Sequence, residues 1–334
     1  RLPSMHSFLR DYPTESKLLV VLVILCTGLS LASPDFLTLV NFTSLLNNNA
    51  VNVIWAVGLL VVLIAGGIDI SFAVAASVVQ YLCVYAFAAI GGGNWVIGFL
   101  FAGSFGLVLG LINAFLIHQF RIISIVVTIS TFNAFFGLLM FFSSGRFLYN
   151  LPSWWSRRVI LWEYQTAGGT WAELILPVAV MAAAMFATWF LIRRTTTGRQ
   201  LYAFGDNPEG ARRAGIPIGL MQAIAFGWSG MMAGIGGLMQ AHITKEVVPN
   251  ALIGRELEVL AAVVLGGARL GGGRGSVLGC FLGVILVAIT QNGLNLLGVS
   301  PYAFKMVVGI IILLAISTSN LDPAKWFAPK GGRR

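Results

Sequence analysis

Acidic side chains are scarce in this chain: 12 Asp and Glu against 21 Lys and Arg in 334 residues, with Asp69 standing alone between Asp35 and Glu163. Charged residues make up 10% of the sequence, far below the roughly one quarter of soluble domains, so an ordinary soluble domain is excluded. No segment reads GxxxxGK[ST], and the chain therefore carries no phosphate cradle of that kind. Cys26, Cys83 and Cys280 lie in apolar runs at spacings that fit neither a zinc site nor a disulfide framework, and they read as small membrane-buried side chains. His6, His118 and His242 fall at the edges of those runs or outside them. With no nucleophile and base pair and no metal cluster, no catalytic residue and no metal ligand is expected.

What is present is apolar length. The chain is 57% hydrophobic with a mean hydropathy of +0.87. Windows of about 20 apolar residues, enough to cross roughly 30 Å of hydrocarbon as a helix, recur along it. They predict an all-α integral membrane protein, a polytopic bundle of about ten transmembrane helices at 18–33, 49–65, 71–90, 95–117, 122–142, 173–192, 217–239, 252–267, 276–292 and 302–319. Barrel strands would alternate apolar with polar residues, and these runs do not. The second and eighth windows are short and end in Gly66-Gly67 and Gly266-Gly267. Segments 1–17 and 320–334 flank the transmembrane domain 18–319. The sequence opens on Arg1, so the initiator is expected to be missing, and no cleavable signal is expected because Asp11 and Glu15 precede the first window.

With the amino terminus inside, the inner segments hold 15 of the 21 Lys and Arg and the outer ones 6, which favours both termini in the cytoplasm. The net charge of +9 is then a signature of topology; it is dispersed among loops and forms no basic face, so no nucleic-acid partner is expected. The longest outer loop, 143–172, holds Phe147, Tyr149, Trp154, Trp155, Trp162, Tyr164 and Trp171, which read mostly as interfacial anchors on a lid.

The longest inner loop, 193–216, contains a short helix signature. Asn207 is a good N-cap, Pro208 suits the first helical position, and Glu209 complements the positive end of the dipole. Gly210 and Ala211 follow, Arg212 and Arg213 fall in the last turn, Ala214 closes it, and Gly215 supplies a left-handed terminus before Pro217. A helix of about seven residues is not stable alone. It either lies on the inner leaflet, with its arginines at lipid headgroups, or docks on a cytoplasmic partner.

This segment, TGRQLYAFGDNPEGARRAGIP, resembles the coupling segment in permease subunits of bacterial ATP-binding cassette importers for ribose-like sugars. The resemblance continues at ELEVLAAVVLGGARLGGGRGSVLG (256–279), at QNGLNLLGVSP (291–301) and at GGIDIS (66–71), in order and over residues 18–319. It implies a bacterial inner-membrane dimer of two identical or homologous permease subunits, cytoplasmic ATPase subunits that use ATP and Mg, and an extracytoplasmic substrate-binding protein. No cofactor would be bound by this chain itself. Residues 207–215 would then couple to the ATPase. Phe72 departs from the pattern, standing where related sugar permeases carry a smaller residue.

Asp69 has three readings: a cap for the third span, shared with Ser71; a contact to substrate; or a latch to Arg269 or Arg274 beside the other Gly-Gly break. VVLIAGGIDIS and AVVLGGARLGGG share the order apolar run, Gly-Gly, ionisable residue. Polar and aromatic side chains inside the spans mark candidate pathway positions: Asp69, Ser71, Phe132, Asn133, Gln291, Asn292 and Asn295 foremost, with Asn113, Thr128, Ser130, Thr131, Gln222, Gln240 and Thr290 beside them. Taken singly, each also suits a helix-to-helix hydrogen bond or plain packing. Gly227, Gly230, Gly234 and Gly237 form a smooth stripe that fits a helix pair or a dimer seam. The expected function is import of a sugar or sugar-like solute by alternating access. The alternatives are the same machine for a nucleoside, an amino acid or a furanose signalling molecule, or an ion-coupled secondary transporter.

Overall fold

A computed structural model describes residues 13–166 and 168–300 and a scatter of positions between 303 and 313. Among the described residues, eight helices are long and apolar enough to cross a membrane. They are α1 (Pro13–Ala32), α2 (Leu39–Ile64), α3 (Phe72–Ala89), α4 (Trp95–Phe120), α5 (Ser124–Ser143), α7 (Leu176–Arg194), α10 (Ile218–Thr244) and α12 (Val277–Leu296). Between them lie α6 (Ser153–Ser156), the strands β1 (Ile160–Gln165) and β2 (Trp171–Ile175), α8 (Thr196–Asp206), α9 (Pro208–Arg213) and α11 (Arg255–Leu265). The expected tenth span, 302–319, and the tail 320–334 lie largely or wholly outside the described residues.

The Ser276 hydroxyl donates to Glu15 Oε1 at 2.6 Å, placing the start of α12 beside the start of α1. This end of the bundle, here the amino face, also receives the end of α2, since Gly273 N–H donates to the Ile64 carbonyl at 2.9 Å. The β-hairpin marks the opposite, hairpin face.

The second span is not short. Thr38 caps it, its hydroxyl accepting from Asn41 N–H at 3.2 Å, and 26 residues follow. The run Asn47-Asn48-Asn49 looks like a break in a hydropathy window, yet Asn47 donates to the Glu173 carbonyl at 2.8 Å and accepts from Ile175 N–H at 3.2 Å. From Val53 to Ile64 every side of α2 is buried, which makes it the central helix of the bundle.

The eighth span is also corrected. Its helix, α11, has 11 residues and a length of about 16 Å, half of what a crossing needs. Residues 245–254 complete the traverse as irregular chain, with Lys245 and Gly254 in left-handed conformations (φ 59° and 93°). Exposed backbone of this kind is tolerated at membrane depth only where protein or a water-filled cavity surrounds it.

The glycine stripe is a helix pair within the chain. A Cβ on Gly230 would overlap the Gly106 carbonyl oxygen, one on Gly106 the Gly230 carbonyl, and one on Gly234 the Ala102 carbonyl. The α4 and α10 backbones therefore touch, as small residues permit where lipid supplies no hydrophobic drive.

Of the loop aromatics, Trp154 and Trp155 are packed inside instead of anchoring at an interface. Trp155 is fully buried and its indole donates to the Leu238 carbonyl at 2.8 Å, while Trp154 meets Phe87 and Trp95 edge-on. Phe147, Tyr149, Trp162, Tyr164 and Trp171 are exposed.

Candidate functional site

At the amino face two short helices form one unit. α9 covers Pro208–Arg213, six residues where about seven are expected. Asn207 Oδ1 accepts from Gly210 N–H at 2.9 Å, Gly215 takes φ 80°, and Ile216 N–H returns to the Ala211 carbonyl at 3.0 Å. Glu209 pairs with Arg212 at 2.8 Å and Arg213 at 3.2 Å, all three exposed, so these pairs add little stability. Ala211 is buried, while Pro208, Arg212, Arg213 and Ala214 face outward.

α8 is the support a six-residue helix needs, and sequence reading missed it. Gly198 and Gly205 look like breakers, yet they fall with Leu201 and Phe204 on one buried stripe at helical spacing. Thr195 caps the helix, accepting from Gly198 N–H at 3.0 Å. The Tyr202 hydroxyl donates to the Gly275 carbonyl at 2.6 Å. Burial pushes its pKa up, so it stays a neutral donor.

α8 ends where the Gly66-Gly67 break meets the glycine run 271–273 that follows the other break. Gly66 (φ 81°) and Gly272 (φ 86°) both close on Gly205, whose own Cβ position is filled by the Ile64 carbonyl. That carbonyl belongs to the last turn of α2, lacks an intrahelical partner and accepts from Gly273. Three chain segments thus touch backbone to backbone with no side chain between them. The first break thus meets the loop after the second, while Gly266 itself packs against Gly279 of α12, and Asp69 takes no part in either contact.

Asp69 turns into the bundle and is 2% exposed. One oxygen accepts from Ser71 N–H at 2.9 Å and from the Ser71 hydroxyl at 2.7 Å; the other accepts from Ser229 at 2.8 Å. Ser71 also accepts from Asn113 at 2.8 Å, and Asn113 accepts from Thr131 at 2.7 Å. Ile68 is held the same way, its N–H donating to Ser124 and its carbonyl accepting from Thr128. Ser229 is eleven residues into α10 and Asn113 seven from the end of α4, so these two partners lie about 10–16 Å inside the ends of those helices. Side chains thus satisfy an extended loop at membrane depth. Neither Arg269 nor Arg274 pairs with Asp69, so the latch is not formed; Asp69 acts on the start of α3 through the amide of Ser71. Phe72, the departure from the family pattern, fills space against Trp55, ring centroids 6.0 Å apart.

Asp69→Asn is expected to keep both bonds to Ser71 and to turn its amide toward the Ser229 hydroxyl, leaving the thermal midpoint of the purified protein nearly unchanged. Asp69→Ala leaves the buried Ser71 N–H unpaired and should destabilise by about 1–3 kcal/mol. Equal losses in a melting experiment would show instead that the charge is required.

The remaining candidates separate. Asn133 is exposed on α5 and donates to the Ile129 carbonyl at 2.8 Å, with Phe132 half-buried beside it. Asn292 exchanges two bonds with Asn41 at 2.8 and 3.1 Å, joining α12 to α2, and Asn295 is exposed toward the hairpin face. Gln291 lines a small cleft with Asn49, Asn52 and Glu258. Sequence reading passed over the head of α11. There Arg255 donates to Gln240 at 2.8 Å and lies 5.8 Å above the Trp55 ring, while both Glu256 oxygens accept from Gly254 N–H. Trp55 is nine residues before the end of α2, so Arg255 sits about 14 Å deep. Two acids and an arginine opening a short apolar run after Gly254 were the available signal.

A bundle with a half-helix starting at mid-depth, an extended buried loop and a helix pair seated on both breaks has the build of a membrane transporter. Residues 41–316 match the family model described as the permease component of branched-chain amino acid transport systems, and the chain belongs to that permease family. The ribose import permease of Escherichia coli is 30% identical over 321 residues, covering 94% of this chain and 96% of the relative. That of Bacillus subtilis is 32% identical over 296 residues, 88% and 89% of the two chains. The L-arabinose permease of Azospirillum brasilense is 30% identical over 309 residues, 90% and 86%. No solved structure matches the chain.

Proposed function

We propose that this chain is the membrane subunit of an ATP-binding cassette importer that passes a sugar or sugar-like solute across the bacterial inner membrane. It works as half of a permease dimer, with cytoplasmic ATPase subunits that consume ATP and Mg and a binding protein that delivers solute outside. The amino face is cytoplasmic in this reading, which agrees with the excess of Lys and Arg there. The observation that carries it is the glycine junction: α8 leads into α9 and contacts the ends of both interrupted segments, so a push on residues 207–215 reaches the membrane breaks through backbone alone. The relatives named for ribose and arabinose import support the solute class. Solute would pass along the cleft of Asn49, Asn52, Glu258 and Gln291, whose neutral amides can replace water on hydroxyl groups.

Replacing Glu209, Arg212 and Arg213 together with Ala tests the coupling. Among the described residues the charged groups of these side chains pair only with one another, so the subunit should insert at normal levels while solute no longer stimulates ATP hydrolysis in the reconstituted complex. Unchanged stimulation would remove residues 207–215 from the coupling path.

A further inference from the structure

On the hairpin face, the first turns of α2, strand β2 and the end of α10 enclose a cavity of about 340 Å³, within the range of small-ligand sites. Asn47 and Arg158 at its wall are already engaged, Asn47 holding the backbone of β2 and Arg158 pairing with Glu173. Ser44, Asn48 and Lys245 also line it, and among the described residues their side chains make no hydrogen bond or ion pair. Trp171 adds an exposed aromatic face. His242 at the same wall lies with Nδ1 2.6 Å from the Trp155 carbonyl, which can only accept, so Nδ1 carries a proton and, in the neutral ring, Nε2 is an acceptor. Among the described residues, Nε2 meets no hydrogen-bond partner.

These groups select a ligand class. A lining of hydroxyl, amide, carboxylate, ammonium and one indole, of both signs, offers donors and acceptors to a ring of hydroxyls and a flat face for its C–H side. An apolar ligand would strip the same groups of water and return nothing. The cavity also leads somewhere. Gln240, one turn below Ile243 on α10, receives Arg255 from the head of α11, and one turn deeper than Asn48 on α2 is Asn52 in the cleft already described.

We infer that this cavity is a monosaccharide subsite in the permease subunit itself, occupied as solute enters from the hairpin face and before it reaches Arg255. The inference rests on the import reading above and adds a site to it.

The test is cysteine protection in right-side-out membrane vesicles holding the complete complex. Cys83 and Cys280 are buried, so a Cys26→Ser background leaves few competing thiols. In it, Ser44→Cys reports on the cavity, and Gly168→Cys, at the exposed hairpin turn with open space around it, is the control. Labelling by a membrane-impermeant maleimide is measured with and without D-ribose, D-galactose or L-arabinose. For a site with a dissociation constant of about 1 mM, roughly 10 mM of the right sugar should slow labelling at Ser44→Cys about tenfold and leave Gly168→Cys unchanged. Adding Trp171→Ala or Lys245→Gln should remove the protection. ATP-driven uptake of the three sugars is measured in the same vesicles. A sugar that is taken up without slowing the label at Ser44→Cys overturns the subsite and leaves the import reading standing. Uptake of none of the three, with no protection, overturns the subsite and removes these three sugars from the import reading.

Discussion

Gly205→Val is expected to cut coupled transport sharply without preventing insertion. Its Cβ would occupy the position of the Ile64 carbonyl oxygen and press on Gly273, both of them backbone that cannot rotate aside. Either α8 shifts or the junction opens. Relieving an overlap of this kind costs about 1–3 kcal/mol. Because each 1.4 kcal/mol is tenfold in the population of the engaged arrangement, ATP-driven uptake should fall by roughly five- to a hundredfold. The α4–α10 seam at Gly106 and Gly230 does not meet Gly205, so the amount of subunit in the membrane should stay near normal. Uptake assayed beside membrane abundance separates the outcomes, and full transport by Gly205→Val would disprove the junction as the path of coupling.

Gly230→Val should have the larger effect on the fold. Three α4 groups crowd the added carbon: the Gly106 carbonyl and the amide and Cα of Gly110. The two backbones must separate along the seam, and the loss is expected to exceed about 3 kcal/mol, enough to leave little folded protein. Gly137→Val, on α5 with nothing within 4 Å of the new carbon, is the matched control and should accumulate normally. Size-exclusion profiles of the solubilised variants measure both. A monodisperse Gly230→Val protein at normal yield would contradict the close helix pair.

Local signals were the legible ones. Asn207, Pro208, Gly215 and the arginines between them state a helix start and stop within nine residues, and the chain obeys them. Long apolar runs likewise announce spans, because hydrocarbon thickness alone sets their length. What failed was whatever depends on a distant partner. The asparagines 47 to 49 read as a break because hydropathy counts their amides and cannot see β2 beside them. The hairpin itself was legible in part: Gly168-Gly169 separates two runs rich in aromatic and β-branched residues, yet the tryptophans suggested a lipid interface instead. α11 read as a full span because its apolar residues continue into Gly266 and Gly267, while the left-handed Gly254 that delays its start looks like any glycine. Asp69 was singled out correctly as an anomaly in its setting, but its partner Ser229 lies 160 residues away and no spacing rule connects them.

Reconstitution decides the central claim. The chain is assembled with an ATPase subunit and a binding protein in proteoliposomes, and accumulation of labelled D-ribose, D-galactose and L-arabinose is followed. Accumulation of one of these sugars against its gradient is expected only with ATP on the amino-face side and the binding protein on the hairpin-face side. Uptake that proceeds without ATP and follows an imposed sodium or proton gradient would contradict it.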